Sequence, residues 1–119
     1  MDCLFCKIIN GDIPSYTIYE NEYVKCFLDV NPNSMGHTLI VPKKHFKDIY
    51  DIDLEYLNEI HKASKEVINI LDSKLKPNGY KLVQNNGILQ EVKHYHLHVI
   101  PNYNKKINKD VSEVYNMIK

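Results

Sequence analysis

Apolar and polar residues alternate along several short stretches of this chain, and one longer stretch has the spacing of a helix. The alternating stretches predict five strands, at 16–20, 22–29, 37–42, 80–84 and 94–100. Between 53 and 75, apolar or small residues recur every three or four positions, which predicts one long helix that covers a face of the sheet. A helical turn at 3–10 and a short docking helix near 111–117 complete the pattern. Strands and helices do not alternate regularly, so we expect an α+β fold with an antiparallel sheet.

The last predicted strand contains three of the six histidines, at alternate positions 94, 96 and 98. Successive side chains of a strand point to opposite faces, so the three imidazoles would share one face and the intervening Tyr, Leu and Val the other. The apolar opposite face makes a chance run of surface histidines a weak explanation. A row of imidazoles can bind a metal ion or supply a nucleophile, and the triplet alone leaves both open.

Two cysteines, Cys3 and Cys6, form a Cys-x-x-Cys motif near the start of the chain. This spacing is typical of metal or redox chemistry. A thioredoxin-like redox pair would follow a strand, whereas this motif precedes every predicted strand, which disfavours redox chemistry. A zinc site would need two more ligands, for which His45 and one end of the histidine row are candidates. Packing of both thiols within a small turn explains the spacing equally well.

Three isolated polar residues each have an ordinary and a functional explanation. His37 begins a predicted strand, where a structural histidine is more common than a catalytic one. Asp29 ends a strand and either caps a turn or accepts hydrogen bonds from the hydroxyls of a sugar. Gln90 lies four residues before the histidine row and is either a plain loop residue or a neutral donor to an anion.

Length, composition and charge indicate how many domains the chain has and which kinds of partner it can bind. The 119 residues suffice for one domain, 1–119, and 44% hydrophobic and 25% charged residues are ordinary for a globular protein. A net charge of zero gives no electrostatic basis for binding nucleic acid or a membrane, so we expect neither partner. The first residues lack the pattern of a secretion signal, and we expect a cytoplasmic protein. All 15 basic residues are lysines, so any phosphate must be held without arginine.

The segment His-Tyr-His-Leu-His-Val-Ile at 94–100 resembles the signature of the histidine triad (HIT) family, in which histidines alternate with apolar residues. Further matching segments are CLFCKIINGDIPS, YENEYVKCFLDVNP, GHTLIVPKKH, NNG and QEVKHYHLHVIP. They are most similar to the short bacterial members of the nucleotide-binding branch. The resemblance implies a HIT-like fold, with a five-stranded antiparallel sheet, one long helix and a short N-terminal helix. It also implies a homodimer whose two sheets join into one.

The resemblance further implies a nucleotidyl hydrolase or transferase without an organic cofactor. His96 would attack the α-phosphorus of a purine nucleoside phosphoramidate or a dinucleoside polyphosphate and form a covalent nucleotidyl-His96 intermediate. His98 would bind the phosphoryl oxygens, Gln90 would stabilise developing charge, and His37 and His94 would complete the catalytic set. The residues that match the family's nucleotide-binding positions are Phe5, Ile8, Phe27, Asp29, Val30, Asn85, Gln90, His96 and His98.

In family members that carry the Cys-x-x-Cys motif, four residues hold a structural zinc ion. The matching residues in this chain are Cys3, Cys6, His45 and His94. Two positions depart from the family pattern: Ile88-Leu89 stands in for a longer, glycine-containing loop, and Glu91 occupies the position of a serine near the leaving group in the animal branch.

Two other functions remain open from the sequence. One is a nucleotide-binding scaffold dimer with weak catalysis. The other is a zinc-dependent hydrolase in which all three alternate histidines bind the metal.

Overall fold

The computed structural model describes residues 3–119 and contains, in that range, three α-helices and five β-strands. The helices are α1 (Leu4–Ile9), α2 (Leu54–Lys74) and α3 (Val111–Ile118). The strands are β1 (Thr17–Glu20), β2 (Val24–Leu28), β3 (Thr38–Pro42), β4 (Gly79–Gln84) and β5 (Leu97–Asn102). The strands form an antiparallel sheet in the order β1-β2-β3-β5-β4. The predicted α+β class and five-stranded antiparallel sheet are therefore confirmed.

Strand β5 is the last strand along the chain, but it lies inside the sheet and pairs with β3 on one side and β4 on the other. Its partner β3 begins directly after His37, and the register sets Leu39 opposite His98. On its other side, Val83 of β4 lies opposite the same histidine. His37, directly before β3, and His98, on β5, thus lie side by side although 61 positions separate them in the chain.

Helix α2 covers one face of the sheet. Asp53 caps its start by accepting a hydrogen bond from the Tyr56 N–H. The buried positions of the helix recur at helical spacing and are Ile60, Ala63, Ser64, Val67 and Leu71. They pack against apolar side chains of β2, β3 and β5, and α3 adds Val114 and Ile118 to the same core. The long helix is the predicted cover of the sheet. Among the helices of residues 3–119, none combines the length and the apolar surface of a membrane span.

The opposite face of the sheet carries a smaller apolar cluster that includes α1. Its buried members are Cys3, Phe5, Ile8, Phe27, Leu39 and Val41. Helix α1 has only six residues, so it covers part of this face and leaves the rest open. The side chains that reach the open part from β3 and β5 form one wall of the cavity described below.

The last strand differs from its prediction at both ends. Strand β5 spans Leu97–Asn102, whereas the alternation of residues predicted 94–100. His94 and His96 precede the sheet, because the Tyr95 N–H donates to the carbonyl oxygen of Phe46 (2.7 Å) and not to a neighbouring strand. The predicted alternation of faces still holds, since Tyr95 packs in the core under α2 together with the next two alternate residues.

Gly36, in the loop before β3, leads to a stability prediction. Its φ is +89°, and a Cβ atom there would lie 2.6 Å from Cδ1 of Leu75, which is buried in the core. Gly11 has a similar φ of +85° but has nothing within 4 Å of its Cβ position. We expect Gly36→Ala to lower the free energy of unfolding by about 1–3 kcal/mol more than Gly11→Ala, because both strain the backbone but only one overpacks the core. Urea unfolding measures both losses, and equal losses would contradict the assigned clash.

Candidate active site

A cavity of about 790 Å³ opens on the face of the sheet that α2 leaves uncovered. Its apolar walls come from α1, the neighbouring strands and the loop before β5, and include Phe5, Ile8, Phe27, Leu39 and Val92. Polar and charged side chains converge on the same space, namely Asp29, His37, Lys81, Asn85, Glu91, His96 and His98. An apolar pocket with a few convergent polar groups is typical of a small-molecule site.

The structure brings together most of the residues predicted for nucleotide binding. Eight of those nine residues line the cavity, namely Phe5, Ile8, Phe27, Asp29, Val30, Asn85, His96 and His98. The ninth, Gln90, is buried, and its Nε2 donates to the carbonyl oxygen of Lys47, while its Oε1 has no partner among the described residues. Among the histidines predicted to be catalytic, His37 also lines the cavity, whereas His94 is fully buried.

The ring of His94 is held by a backbone carbonyl. Its Nε2 lies 2.9 Å from the carbonyl oxygen of Pro42, at the end of β3. A carbonyl oxygen only accepts, so Nε2 carries the hydrogen and Nδ1 carries the lone pair. That Nδ1 faces the thiols of Cys3 (3.2 Å) and Cys6 (3.6 Å) and the ring of His45 (3.0 Å). His94 therefore presents a lone pair to a cluster of metal-ligating side chains.

The ring of His96 is held in the opposite tautomer. Its Nδ1 lies 2.7 Å from the carbonyl oxygen of His94, so Nδ1 carries the hydrogen. The Nε2 atom is left with the lone pair, on a side chain that lines the cavity. The rings of Phe5 and His96 pack in a T-shaped arrangement, with a centroid distance of 5.0 Å and an interplanar angle of 83°. His96 thus presents a positioned nucleophilic nitrogen.

The ring of His98 is oriented through His37. The backbone N–H of Asn33 donates to Nδ1 of His37 (3.0 Å), so the hydrogen of the neutral His37 ring is on Nε2. That N–H donates to Nδ1 of His98 (2.9 Å), and Oδ2 of Asp29 lies 3.6 Å from the same nitrogen. The remaining nitrogen of His98, Nε2, must then carry a hydrogen. His98 therefore presents a hydrogen-bond donor, whereas His96 presents a lone pair.

Burial keeps these rings neutral. Desolvation lowers the pKa of His94 and of His98 to about 4, and it also lowers the pKa of His37 and of His96. The carboxylates of Asp29 and Glu91 partly oppose the shift at His96. At neutral pH each imidazole consequently has one hydrogen and one lone pair, as the hydrogen bonds described above require.

Four side chains form a cluster with the donor set of a structural zinc site. The ligand atoms of Cys3, Cys6, His45 and His94 all lie within 4.8 Å of one another. Zinc–sulfur and zinc–nitrogen bonds of about 2.3 Å and 2.0 Å around a tetrahedral ion place sulfur and nitrogen ligands roughly 3.5 Å apart. The observed sulfur–nitrogen distances of 3.2, 3.3 and 3.6 Å match this spacing. The Pro42 carbonyl on the far nitrogen of His94 is the outer partner that a metal-binding histidine needs, so the residues fit zinc.

A second group of ligand atoms, from Asp29, His37 and His98, also lies within 4.8 Å. This group is unsuited to a metal ion, because Nε2 of His37 carries the hydrogen that it donates to His98 and has no lone pair to offer. In residues 3–119, neither cluster contains two of the three alternate histidines. The geometry therefore does not support a hydrolase in which all three alternate histidines bind zinc.

Sequence reasoning missed two backbone groups that set the site, the Pro42 carbonyl and the Asn33 N–H. No side-chain pattern signals a backbone contact between distant segments. Sequence reasoning also missed Lys81, which lines the cavity with Val83 and Asn85. The alternation of these three positions along and just beyond β4 is a signal that could have found it.

Comparisons with known proteins agree with this architecture. A family model described as the HIT domain matches residues 10–105. An uncharacterized HIT-like protein of Methanocaldococcus jannaschii is 48% identical over 103 residues, which are 85% of this chain and 79% of that protein. An adenosine 5′-monophosphoramidase of Saccharomyces cerevisiae is 41% identical over 106 residues, which are 87% of this chain and 65% of that enzyme.

Solved structures show the same fold. A zinc-bound histidine triad family protein from Mycobacterium smegmatis superposes with a TM-score of 0.91 at 32% identity, covering 99% of this chain and 91% of that chain. A hypothetical histidine triad nucleotide-binding protein from Sulfolobus tokodaii has a TM-score of 0.88 at 34% identity, covering 98% of this chain and 86% of that chain. The HIT-like fold expected from the sequence is therefore confirmed.

The lowered histidine pKa values predict acid sensitivity. Because these pKa values lie below 6.5 in the folded protein, the unfolded chain binds more protons at acid pH, and stability present above pH 6.5 is lost as the pH falls toward 4. We expect His98→Gln to lose less stability than the wild type over this interval. Urea unfolding at several pH values measures the loss, with His61→Gln, on the exposed face of α2, as the control. Identical pH profiles for all three proteins would contradict the assignment to His98.

Proposed function

This chain belongs to the HIT domain family, and from that premise we propose that it is a nucleotidyl hydrolase that cleaves nucleoside phosphoramidates, with dinucleoside polyphosphates as the second candidate substrate class. The observation that carries the proposal is the tautomer of His96. Its Nδ1–H is held by the His94 carbonyl, and its Nε2 lone pair is available in a cavity large enough for a nucleotide. The name of the yeast relative, an adenosine 5′-monophosphoramidase, supports the substrate class.

In the proposed first step, Nε2 of His96 attacks the α-phosphorus. A nitrogen–phosphorus bond to the histidine forms, and the bond from phosphorus to the leaving amine breaks with its electrons going to the amine. The amine takes a proton from water at the open side of the cavity and departs. His98, with a hydrogen on Nε2, donates to a phosphoryl oxygen on which negative charge develops. The product of this step is a nucleotidyl-His96 intermediate.

In the proposed second step, water attacks the same phosphorus and the bond to His96 breaks. The electrons of that bond return to Nε2, and the proton of the attacking water is released to solvent. The mononucleotide leaves, and the histidine regains its starting tautomer because the His94 carbonyl has held Nδ1–H throughout. Dividing one displacement into two lowers each barrier, which is the general advantage of covalent catalysis.

The remaining cavity residues suit a purine mononucleotide. The aromatic and aliphatic side chains of Phe5, Ile8 and Phe27 form a slot for the base. Asp29, which is partly exposed, accepts from the Asn31 N–H through Oδ1 and has Oδ2 near His37, so it can still accept hydrogen bonds from ribose hydroxyls. Val30 and Asn85 also line the cavity and would contact the sugar and the phosphate.

A structural zinc ion, held by Cys3, Cys6, His45 and His94, is part of the proposal. When bound, zinc would neutralise the two thiolates and cross-link the start of α1 to the histidine row. Burial and the neighbouring Cys3 raise the pKa of the Cys6 thiol to about 11, so this thiol favours the thiolate only beside a cation. The zinc-bound mycobacterial relative supports this part of the proposal.

We also propose a homodimer. Strand β4 pairs only with β5 among the described residues, so its outer edge is free for a second copy of the chain. Leu82, in the middle of that strand, is 45% exposed. Pairing of the two edges would continue the antiparallel sheet across the dimer and would cover this edge.

The nucleophile is tested by His96→Ala. We expect hydrolysis of adenosine 5′-phosphoramidate to fall by at least about a thousandfold, because no other cavity group replaces the lone pair. Binding of adenosine 5′-monophosphate, measured by calorimetry, should persist in the variant. His61→Ala is the control with an unchanged rate. A variant that retains turnover would refute the covalent mechanism, and an inert wild type that still binds nucleotide would favour the scaffold function.

The zinc site is tested by Cys6→Ser, with Cys26→Ala as the control that removes a thiol outside the cluster. We expect about one zinc per chain in the wild type and the control, and little in Cys6→Ser, by atomic absorption. A chelator should lower the unfolding temperature of the wild type and of Cys26→Ala, and leave that of Cys6→Ser unchanged. Loss of activity on chelation without loss of the fold would instead assign the metal a catalytic role.

A further inference from the structure

The charged side chains around the cavity do not suit a highly anionic substrate. Asp29 and Glu91 contribute two carboxylates to its lining, whereas Lys81 is the one lysine among the described lining residues. The chain has no arginine that could compensate. A polyphosphate would bring several further negative charges into a space whose walls are net negative.

The two carboxylates come from different segments of the chain, Asp29 from the position directly after β2 and Glu91 from the loop before β5. Asp29 lies beside His37, with Oδ2 3.6 Å from Nε2, at the part of the cavity assigned above to the ribose. Glu91 directly follows the buried Gln90, whose side-chain amide donates a hydrogen bond to the Lys47 carbonyl oxygen. This hydrogen bond fixes the chain where it reaches the cavity lining. Glu91 and His96 line the same cavity, so the Glu91 carboxylate borders the space in which the proposed nucleophile acts.

Glu91 is also free to interact with a ligand. Its side chain is exposed, and among residues 3–119 it forms no ion pair within 4 Å of a cationic side chain. With Asp29 assigned to the ribose, Glu91 is the remaining carboxylate of the described lining that a departing group can meet. A carboxylate at this position attracts a cation and repels an anion.

We propose that Glu91 selects the leaving group, and that the preferred substrates are nucleoside phosphoramidates whose amine carries a second, positively charged group. This inference rests on the proposed function and names its substrate class. The phosphorus–nitrogen bond breaks as described above, the amine takes one proton from water, and the second ammonium group stays charged beside Glu91. Polyphosphate leaving groups are disfavoured by the same carboxylate.

The test uses three adenosine 5′-phosphoramidates of similar length. Their amines are 1,3-diaminopropane, propylamine and β-alanine, so the leaving group ends in a cation, a methyl group or an anion. The value of kcat/KM is measured for each compound with the wild type, with Glu91→Gln and with Glu22→Gln. Glu22 is an exposed carboxylate in the turn between β1 and β2, outside the cavity lining, and its variant is the matched control.

We expect the cation-to-anion ratio of kcat/KM to fall by at least about fivefold in Glu91→Gln, which corresponds to the attraction of unit charges at contact distance in water. Comparing the same ratio between proteins cancels the intrinsic reactivity of each compound. The ratio in Glu22→Gln should equal that of the wild type. A ratio that is unchanged in Glu91→Gln would overturn the inference and leave the proposed hydrolase standing.

A binding measurement separates this inference from the proposed function. The dissociation constants of the three compounds are measured by calorimetry for His96→Ala, with and without Glu91→Gln. If the wild type turns over none of the compounds but His96→Ala binds the cationic one most tightly and loses that order with Glu91→Gln, the hydrolase proposal fails and the selectivity of Glu91 stands. If no order of affinity is found, the inference is overturned.

Discussion

The hydrogen bond from Nδ1 of His96 to the carbonyl oxygen of His94 is the interaction on which the candidate site depends. An imidazole has two nitrogens, and whatever partner one nitrogen finds decides what the other can do. The same constraint operates three times in five residues. A carbonyl acceptor turns the lone pair of His94 toward the cysteines, a second carbonyl turns the lone pair of His96 toward the cavity, and a histidine donor leaves His98 with an N–H.

The His96 hydrogen bond also joins two sites. The side chain of His94 belongs to the Cys-His cluster, while its backbone carbonyl holds the ring of His96. Whatever fixes His94 therefore fixes the acceptor that sets the tautomer of the proposed nucleophile. Helix α1 participates in both sites, because its N-cap Cys3 and its residue Cys6 belong to the cluster and its Phe5 packs against the ring of His96. A bound metal ion would rigidify this arrangement without touching the reacting atoms.

Burial supplies the electrostatic condition that these tautomers need. A protonated imidazole has no lone pair, so a nucleophile and a metal ligand must both stay neutral at the working pH. Desolvation lowers the pKa of His94, His96 and His98, and the carboxylates that line the cavity oppose this only in part at His96 and His98. Under the proposed function, a chain without arginine would rely on neutral donors beside the phosphate, and the few charged side chains of the cavity would discriminate among leaving groups.

Most residues of the candidate site were predicted from the resemblance of contiguous motifs to the HIT family. The strand and helix pattern and the opposite faces of the histidine row follow from the sequence alone, because each depends on local periodicity. The face that holds Tyr95 and the cap at Asp53 follow from such local rules. Only the tertiary structure shows which nitrogen of His94 and of His98 is free, since these choices depend on the Pro42 carbonyl and, through His37, on the Asn33 N–H, contributed by segments far along the chain. It also decided that β5 begins at Leu97 and that the Gln90 amide is bonded to Lys47, because both depend on hydrogen bonds to the loop after β3. Backbone groups carry no side-chain signal, so their partners are known only once the distant segments have met.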